Sequence, residues 1–399
     1  MQSPNRSYAP ELDQLRGAAA LLVFFYHSVN SGYSATGTVG WPTTSNPLYA
    51  IILEGHTGVS LFIVLSAFVL ARGTFGFTIS YRDFVRNRAL RIFPLAIIAI
   101  VLGIAGNKQI DFGKAASWFF LLGNTSGAGH DPAELAGTLW TATVEFQFYL
   151  IAPFLFAFTA QRGIVKFILP LIGFFFFMRL TLIVAAPKDP AEAYRISYYT
   201  IAGRIDQFLI GIALAYAVDF NLILLSRRMQ IATFSAASIA IVGLLFAINR
   251  GGGLTHWTGY HVPLPEIEAA LWAIFLYGYI SLKPLDRIGT CLVWFGQISF
   301  GMYVLHYSIQ RNWWLYLYPR LGLHLDPTVT AWIMSFVLLI PVTLIAWASY
   351  SCIERPFLAM RRRYLVGKID LAAPAKPIGP SALPPAKTVA LATEPVLVE

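Results

Sequence analysis

The sequence predicts an all-α, polytopic integral membrane protein of about ten transmembrane helices, with both termini in the cytoplasm. Of its 399 residues, 57% are hydrophobic and only 12% are charged, whereas soluble domains carry about 25% charged residues. Apolar runs of about 20 residues, enough to cross a bilayer, recur along the chain between polar breaks. Basic residues concentrate in alternate loops, as is typical of membrane proteins with a fixed orientation.

The predicted spans follow one another with short connections. They are 12–30, 48–71, 89–106, 138–159, 164–186, 198–219, 230–248, 266–282, 292–311 and 328–351. The run 115–124 is too short to span, and we expect it to be re-entrant or interfacial. The first span shows no small-residue cleavage site, so we expect it to remain as a signal anchor. The absence of an internal repeat weakens an inverted-repeat transporter interpretation.

The distribution of charge sets the predicted orientation and partners. Outside segments keep only Lys108, Lys114, Lys188, Arg195, Arg250, Arg311 and Arg320, while the cytoplasmic loops hold most other basic residues. This asymmetry accounts for the net charge of +9, so we expect a lipid bilayer and no nucleic acid as partner. Whether copies of the chain form a homo-oligomer is left open. Cys291 and Cys352 lie in no metal-binding motif, and we expect no metal site.

Two domains of unequal size follow from composition. Residues 1–360 form the predicted membrane-embedded domain, and residues 361–399 form a basic juxtamembrane segment with a Pro/Ala-rich tail that begins near Gly367. The tail shows no hydrophobic periodicity, so we expect it to be disordered.

The first span carries two ionisable residues, Arg16 and His27. Residues eleven apart on a helix differ by about 20° in direction, so both side chains point to one face, about 16 Å apart along the axis. A charged residue at the bilayer centre costs about 2.5–3.5 kcal/mol on insertion scales, so such residues usually have a function. The alternative is that Arg16 snorkels to the interface and His27 is only structural.

Polar residues on other spans favour the functional interpretation. The ninth span places Ser299, Tyr303, His306 and Gln310 on one side. The fourth carries Trp140, Glu145 and Tyr149, the fifth Arg179, and the sixth Arg204 and Asp206. Ionisable groups that enter a bundle from five helices indicate a shared polar interior, although structural pairing between helices remains the alternative.

The second span and the loop after it add two further features. Gly55 and Gly58 predict close backbone approach at the outer end of the second span. The basic residues Arg82, Arg86, Arg88 and Arg91 crowd the next cytoplasmic segment. Topology alone explains such a cluster, and a site for a phosphorylated molecule explains it equally, because guanidinium groups match phosphate oxygens bidentately.

Taken together, these motifs resemble the acyltransferase 3 family of membrane-bound O-acyltransferases. The matching pieces run from Leu12 to about Phe357 and are the Arg16/His27 pair, GHTGVSLFIVLSAFVLAR, RNRALRIFP, LWTATVEFQFYL, GRIDQFLIG, SFGMYVLH and ERPF. One departure is Ala67, where the family usually has glycine. A methyl group there narrows a helix contact but removes no reactive group.

The resemblance implies transfer of an acyl group, most often acetyl from acetyl-CoA, to a hydroxyl of a saccharide or glycosylated acceptor in the bacterial inner membrane. Acyl-CoA is then a co-substrate, and no bound cofactor is expected. Many relatives carry a C-terminal esterase-like domain. Because only about forty residues follow the last span, we expect that domain to be absent here. The sequence does not select among acceptors or acyl chain lengths.

Roles for the motif residues follow from the resemblance. The catalytic candidates are His27 as general base, Glu145 as the group that orients it, and Arg16. The donor-binding candidates are Arg72, Arg88 and Arg91. The candidates for the acceptor or its passage are Trp140, Tyr149, Arg204, Ser299, Tyr303 and His306. A histidine that carries the acyl group transiently is an open variant. A transporter or flippase of lipid-linked glycans is the alternative function, and a structural scaffold is a second.

Overall fold

The structure is a computed structural model, which describes residues 5, 8–38, 40–106, 112–122, 124, 138–185, 190–253, 262–282, 286–323 and 325–368. Its helices are α1 (Pro10–Ala35), α2 (Pro47–Leu53), α3 (Thr57–Ala71), α4 (Tyr81–Gly106), α5 (Phe112–Phe119), α6 (Leu139–Gly163), α7 (Leu169–Ala185), α8 (Pro190–Tyr199), α9 (Ile201–Asp219), α10 (Arg227–Arg250), α11 (Leu264–Leu282), α12 (Asp286–Asn312), α13 (Pro327–Ser349) and α14 (Arg355–Ala359). Single π-helical turns lie at Ile164–Ile168, Trp313–Leu317 and Tyr350–Glu354.

The helix starts follow ordinary capping chemistry. Asp326 precedes α13, and its carboxylate accepts hydrogen bonds from the backbone N–H groups of Thr328 and Val329 at 2.9 and 3.2 Å. Proline at the first helical position, as in α1 and α13, costs no hydrogen bond because that N–H has no partner within the helix. Local sequence therefore sets where these elements begin.

The prediction of a helical, multi-pass membrane protein is confirmed. Each predicted span coincides with helical residues, and the short run near residue 115 contains the eight-residue helix α5. Five segments in the described part of the chain are long and apolar enough to cross a membrane: Tyr81–Ala105, Leu139–Val184, Tyr194–Asp219, Arg227–Arg250 and Pro327–Ala359. The pair α2 and α3 adds a sixth when it is taken as one broken span.

The second predicted span is broken into two helices, so the expectation of one continuous helix over 48–71 was wrong. Helices α2 and α3 meet at an angle of 73° across the break at Glu54–His56. The Glu54 side chain is fully buried and accepts hydrogen bonds from Trp41 Nε1 at 2.6 Å and from Asn249 Nδ2 at 2.9 Å. A buried carboxylate requires such donors, and the break lets the chain present Glu54 to them.

Glycines set the closest helix contacts. A Cβ atom at Gly58 would lie 2.8 Å from Val23 Cγ2 and 2.9 Å from the Ala19 carbonyl oxygen, so α3 packs tightly on α1 as predicted. A Cβ atom at Gly211 in α9 would lie 2.8 Å from the methyl carbon of Ala67 in α3. The alanine that departs from the family pattern is therefore accommodated because glycine faces it.

The predicted start of the disordered tail, near Gly367, lies too early in the sequence. Residues Leu365–Lys368 form strand β2, which pairs antiparallel with β1 (Phe77–Ile79), with Thr78 opposite Gly367. Gly367 and Lys368, which were predicted to be disordered, thus belong to a two-stranded sheet. Residues 369–399 lie outside the described part of the chain.

Candidate functional site

A cavity of about 560 Å³ lies at the end of the bundle where α1 begins. We call it the arginine cavity, because it is lined by Arg16, Arg72, Arg88, Arg91 and Arg361. The three predicted donor-binding arginines and Arg16 therefore meet in one place. They come from α1, the end of α3 and the first half of α4, which are far apart in sequence.

Some arginines of this cavity have a carboxylate partner, and others do not. Arg16 Nη1 donates to Asp13 Oδ1 at 2.8 Å, and Arg72 Nε lies 3.5 Å from Asp219 Oδ1. Within the described residues, Arg88 and Arg91 form no ion pair. The Arg88 guanidinium, in a side chain only 9% exposed, lies over the ring of Tyr149 at 5.7 Å. Buried cations without a carboxylate partner attract an anionic ligand.

A second, smaller cavity of about 90 Å³ adjoins the first and shares part of its wall. We call it the inner cavity. The walls shared by both are Arg16, Val69, Leu70, Arg88, Arg91 and Phe300, and the inner cavity is further lined by Ser66, Thr141, Glu145, Tyr149, Ser299 and Tyr303. The structure thus joins the predicted cationic residues to four residues predicted for catalysis or the acceptor.

Glu145 is held at the wall of the inner cavity by two hydroxyl groups. Ser66 Oγ donates to Glu145 Oε1 at 2.5 Å, and the Tyr149 hydroxyl donates to the same oxygen. The sequence placed Glu145 beside His27 as its orienting group. In the structure, Glu145 is instead hydrogen-bonded to Ser66 on α3 and to Tyr149 on its own helix α6. Any action of Glu145 is therefore exerted on the contents of the inner cavity.

The orienting contact of His27 comes from His306 on α12. His27 Nδ1 lies 2.9 Å from His306 Nε2. His306 Nδ1 lies 2.8 Å from the Tyr303 carbonyl oxygen and 3.0 Å from that of Met302. His306 is only 1% exposed, and its ring contacts that of Tyr303, with ring centroids 5.8 Å apart. Tyr303 therefore links the inner cavity to the histidine pair.

These contacts fix the tautomers of both neutral rings. A carbonyl oxygen only accepts, so His306 Nδ1 carries a proton and its Nε2 is an acceptor. His27 Nδ1 must then donate to His306 Nε2, which leaves the lone pair of His27 on Nε2. The rings of Tyr26 and Tyr307 flank His27, with centroid separations of 4.7 and 5.3 Å. The arrangement presents one oriented basic nitrogen in aromatic surroundings, as a general base requires.

Trp140 and Arg204 meet away from both cavities. The Arg204 guanidinium lies 4.2 Å from the ring centroid of Tyr198, and the Trp140 ring is 5.2 Å from the same ring. Arg204 Nη1 also donates to Ser60 Oγ at 3.4 Å, and Ser60 Oγ donates to Glu268 Oε2 at 2.7 Å. These two predicted acceptor residues therefore form one cluster at the end of α9 opposite the arginine cavity.

Several residues of the two cavities were not among the predicted site residues. They include Ser66, Gln297, Glu354, Arg361 and Tyr364. Ser66 had a sequence signal, since it lies in the second-span motif, but Arg361 was attributed to topology alone. In the described part of the chain, no cluster of three or more His, Cys, Asp or Glu side chains could hold a metal ion.

Comparison with known proteins shows which sequences this chain is similar to. Peptidoglycan O-acetyltransferase OatA of Listeria monocytogenes is 25% identical over 342 residues, which is 76% of this chain and 50% of that protein. Putative peptidoglycan O-acetyltransferase YrhL of Bacillus subtilis is 22% identical, over 77% of this chain and 49% of that protein. The chain therefore spans about half the length of these relatives.

The similarity extends over a larger share of a viral relative. Putative acetyltransferase ORF330 of Acidianus two-tailed virus is 25% identical over 77% of this chain and 84% of that protein. No solved structure matches the chain. A family model described as an acyltransferase domain matches residues 10–351. Because that match covers most of the 399 residues and contains every predicted site motif except the closing ERPF, the chain belongs to the acyltransferase 3 family.

Proposed function

We propose that the chain transfers an acetyl group from acetyl-CoA to a hydroxyl of a cell-surface saccharide. The observation that carries this proposal is the shared wall of the two cavities. Among the described residues, Arg88 and Arg91 of this wall form no ion pair and suit the phosphates of the donor. Tyr303 of the inner cavity contacts the His306 ring, while His27 and His306 themselves line neither cavity. Membership of the acyltransferase family supplies the reaction class.

The donor is assigned to the arginine cavity. Its volume of about 560 Å³ lies in the range of about 300–1,000 Å³ that is usual for small-molecule sites. Arg88 and Arg91 are the primary phosphate ligands, because Arg16 and Arg72 already have carboxylate partners. The thioester end then enters the inner cavity between Glu145 and Ser299.

The chemical step uses the histidine pair. His27 Nε2 removes the proton of the acceptor hydroxyl as the oxygen attacks the thioester carbonyl carbon. His306 Nε2 continues to accept from His27 Nδ1–H and stabilises the imidazolium. The C–S bond then breaks, and the departing thiolate takes the proton from His27. In the open variant, His27 Nε2 itself attacks the thioester carbonyl carbon, the C–S bond breaks and CoA leaves as the thiolate. The acceptor oxygen then attacks the acetyl-imidazolium, the N–acetyl bond breaks, and the hydroxyl proton goes to the thiolate.

The acceptor is assigned to peptidoglycan or a similar saccharide, because two of the relatives named above are called peptidoglycan O-acetyltransferases. Aromatic faces and a guanidinium suit a sugar ring and its hydroxyl groups. The Trp140 and Arg204 cluster provides both at the end opposite the donor. The acceptor thus approaches from that side.

A topology of ten spans with both termini in the cytoplasm fits a donor site and an acceptor site at opposite ends of the bundle. The arginine cavity then opens to the cytoplasm, where acyl-CoA resides, and the Trp140 and Arg204 cluster faces the outside of the bacterial inner membrane. In the described part of the chain, five segments, or six when the broken α2–α3 pair is taken as one span, are long and apolar enough to cross a membrane. The proposal of ten spans rests on the apolar runs of the sequence, and the orientation rests on the positive-inside pattern of the loop charges.

Purified protein in detergent tests the function directly. With radiolabelled acetyl-CoA and soluble peptidoglycan fragments, we expect labelled acetyl esters from the wild type and none above background from His27→Ala. Membrane abundance and elution volume of the variant serve as controls. Near-wild-type transfer by His27→Ala would remove the histidine from the mechanism. Glycan translocation without acetyl transfer would favour the flippase alternative.

A further inference from the structure

Arg361 joins Arg88 and Arg91 as a third arginine of the arginine cavity that forms no ion pair with a described residue, and it comes from beyond the last long helix. Its Nε donates to the Leu358 carbonyl oxygen at 2.9 Å, which fixes the direction of the guanidinium. Within the described residues, Arg361 forms no ion pair. It lines the same cavity as Arg88 and Arg91.

The acidic residues of this cavity do not neutralise the three arginines. They are Glu11, Asp13, Asp219 and Glu354. Asp13 is bound to Arg16 and Asp219 to Arg72. Glu354, whose side chain is 4% exposed, forms no ion pair with a described residue, although it lies in the field of Arg91. An excess of positive charge therefore remains on one side of the cavity.

The arginines repel one another at this position. Burial, followed by the like charges of Arg88 and Arg91, lowers the pKa of Arg361 to about 10. An anion placed between these guanidinium groups would remove that repulsion. A ligand with several phosphate oxygens would therefore stabilise this cluster of arginines.

Residues 360–368, which we call the C-terminal strap, hold Arg361 in place. Asn87 Nδ2 donates to the Arg362 carbonyl oxygen at 2.7 Å, and the Arg362 backbone N–H donates to Asn87 Oδ1 at 2.9 Å. Asn5 Oδ1 accepts from the Tyr364 backbone N–H at 2.8 Å. Strand β2 then pairs with β1. The strap is therefore a fixed wall of the cavity.

We propose that Arg361 binds a phosphate group of the acyl-CoA donor together with Arg88 and Arg91, so that the C-terminal strap completes the donor site. This inference rests on the proposed function. A guanidinium group matches phosphate oxygens bidentately, and CoA offers a pyrophosphate and a 3′-phosphate to such groups. Asn87 is a positioning residue in this arrangement, because it holds the strap and not the donor.

The test is the binding of CoA to the purified full chain in a neutral detergent, measured by calorimetry. We compare wild type, Arg361→Ala, Arg361→Lys and the matched control Arg363→Ala. Arg363 is exposed and does not line either cavity. Loss of a charged hydrogen-bond partner should raise the Kd of Arg361→Ala for CoA by about tenfold or more. Arg361→Lys should recover part of the affinity, and Arg363→Ala should match wild type.

A second set of measurements identifies which phosphate group of CoA Arg361 binds and controls for misfolding of the variants. Dephospho-CoA lacks the 3′-phosphate, so equal affinity of wild type and Arg361→Ala for it would assign Arg361 to that group. Asn87→Ala substitutes no cavity arginine but removes the hydrogen bonds that hold the C-terminal strap, so it should also weaken CoA binding. Equal CoA affinities of Arg361→Ala and Arg363→Ala would overturn the inference while leaving the proposed function intact. Failure of wild type to bind CoA would instead refute the donor assignment itself.

Discussion

At the scale of single residues, His27 and Glu145, which the sequence predicted to contact each other, have different partners in the structure. His27 receives its orientation from His306, whereas Glu145 is occupied by Ser66 and Tyr149 at the inner cavity. The proposed base is thus positioned by a neutral ring instead of a carboxylate. A neutral acceptor fixes the tautomer of His27 without adding a buried charge, whose cost would be several kcal/mol.

His306 should therefore affect turnover more than donor binding. We expect His306→Ala to lower kcat by about 100-fold, because the basic nitrogen of His27 loses its fixed tautomer and direction. The KM for acetyl-CoA should stay near the wild-type value, since His306 lines neither cavity. Steady-state kinetics with labelled donor measures both constants.

His306→Gln provides the matching control. The glutamine carbonyl oxygen can accept from His27 Nδ1–H, so this variant should retain more activity than His306→Ala. An unchanged kcat with a raised KM in either variant would contradict a positioning role and place His306 at the donor.

At the scale of elements, the contact between α1 and α12 decides the histidine geometry. A Cβ atom at Gly17 would overlap the Leu292 carbonyl oxygen, and one at Gly296 would overlap the Asp13 carbonyl oxygen. The two backbones thus touch near the arginine cavity, about 15 Å along α1 from His27 at 1.5 Å per residue. Small residues permit such contacts, which are a main source of helix association in membranes.

Widening this contact should reduce both stability and activity. Gly17→Ala forces the helices apart, and overpacking of this kind costs about 1–3 kcal/mol. We expect a lower thermal unfolding midpoint in detergent and a lower kcat, because His306 moves relative to His27. Differential scanning fluorimetry and the acetyl-transfer assay measure the two effects.

Gly243→Ala is the matched control for this substitution. Gly243 lies within α10, and a Cβ atom there meets nothing within 4 Å. Its unfolding midpoint should be equal to or slightly above that of wild type, since alanine favours a helix over glycine by up to about 1 kcal/mol. Equal loss of stability in Gly17→Ala and Gly243→Ala would show that close packing between α1 and α12 is not the cause of the loss.

At the scale of the whole molecule, a buried ionic cluster ties three helices together. Arg179 on α7 binds Asp206 on α9 and Glu266 on α11. Arg179 and Asp206 are fully buried. Such a cluster is costly to form but more costly to break, because removal of one partner leaves an uncompensated charge. We infer that it fixes the mutual arrangement of these helices.

Removal of the cation should therefore destabilise the bundle strongly. We expect Arg179→Met to lower the free energy of unfolding by about 3–5 kcal/mol, because two carboxylates lose their partner. The triple variant Arg179→Met, Asp206→Asn, Glu266→Gln should recover much of that loss, since no charge remains. Chemical denaturation in mixed micelles compares the three proteins, and a triple variant less stable than the single one would refute this explanation.

Much of the fold was predictable because its causes are local. Apolar length and helical periodicity placed the long helices of the described chain, and α1 runs as one helix from Arg16 to His27, as the eleven-residue spacing argument requires. The break at Glu54–His56 was not predictable, because it depends on Trp41 and Asn249, which come from distant segments. Strand β2 was missed for the same reason, since its partner β1 lies almost 300 residues earlier.

The sequence by itself determined the helical membrane architecture, the family and the set of polar residues that enter the bundle. Only the tertiary structure decided which of them meet. His27 and His306 are 279 residues apart in the chain, and Arg361 reaches Arg88 only through the strap. Periodicity fixes the direction of a side chain on its own helix, but its partner depends on how helices pack, which is a property of the whole molecule.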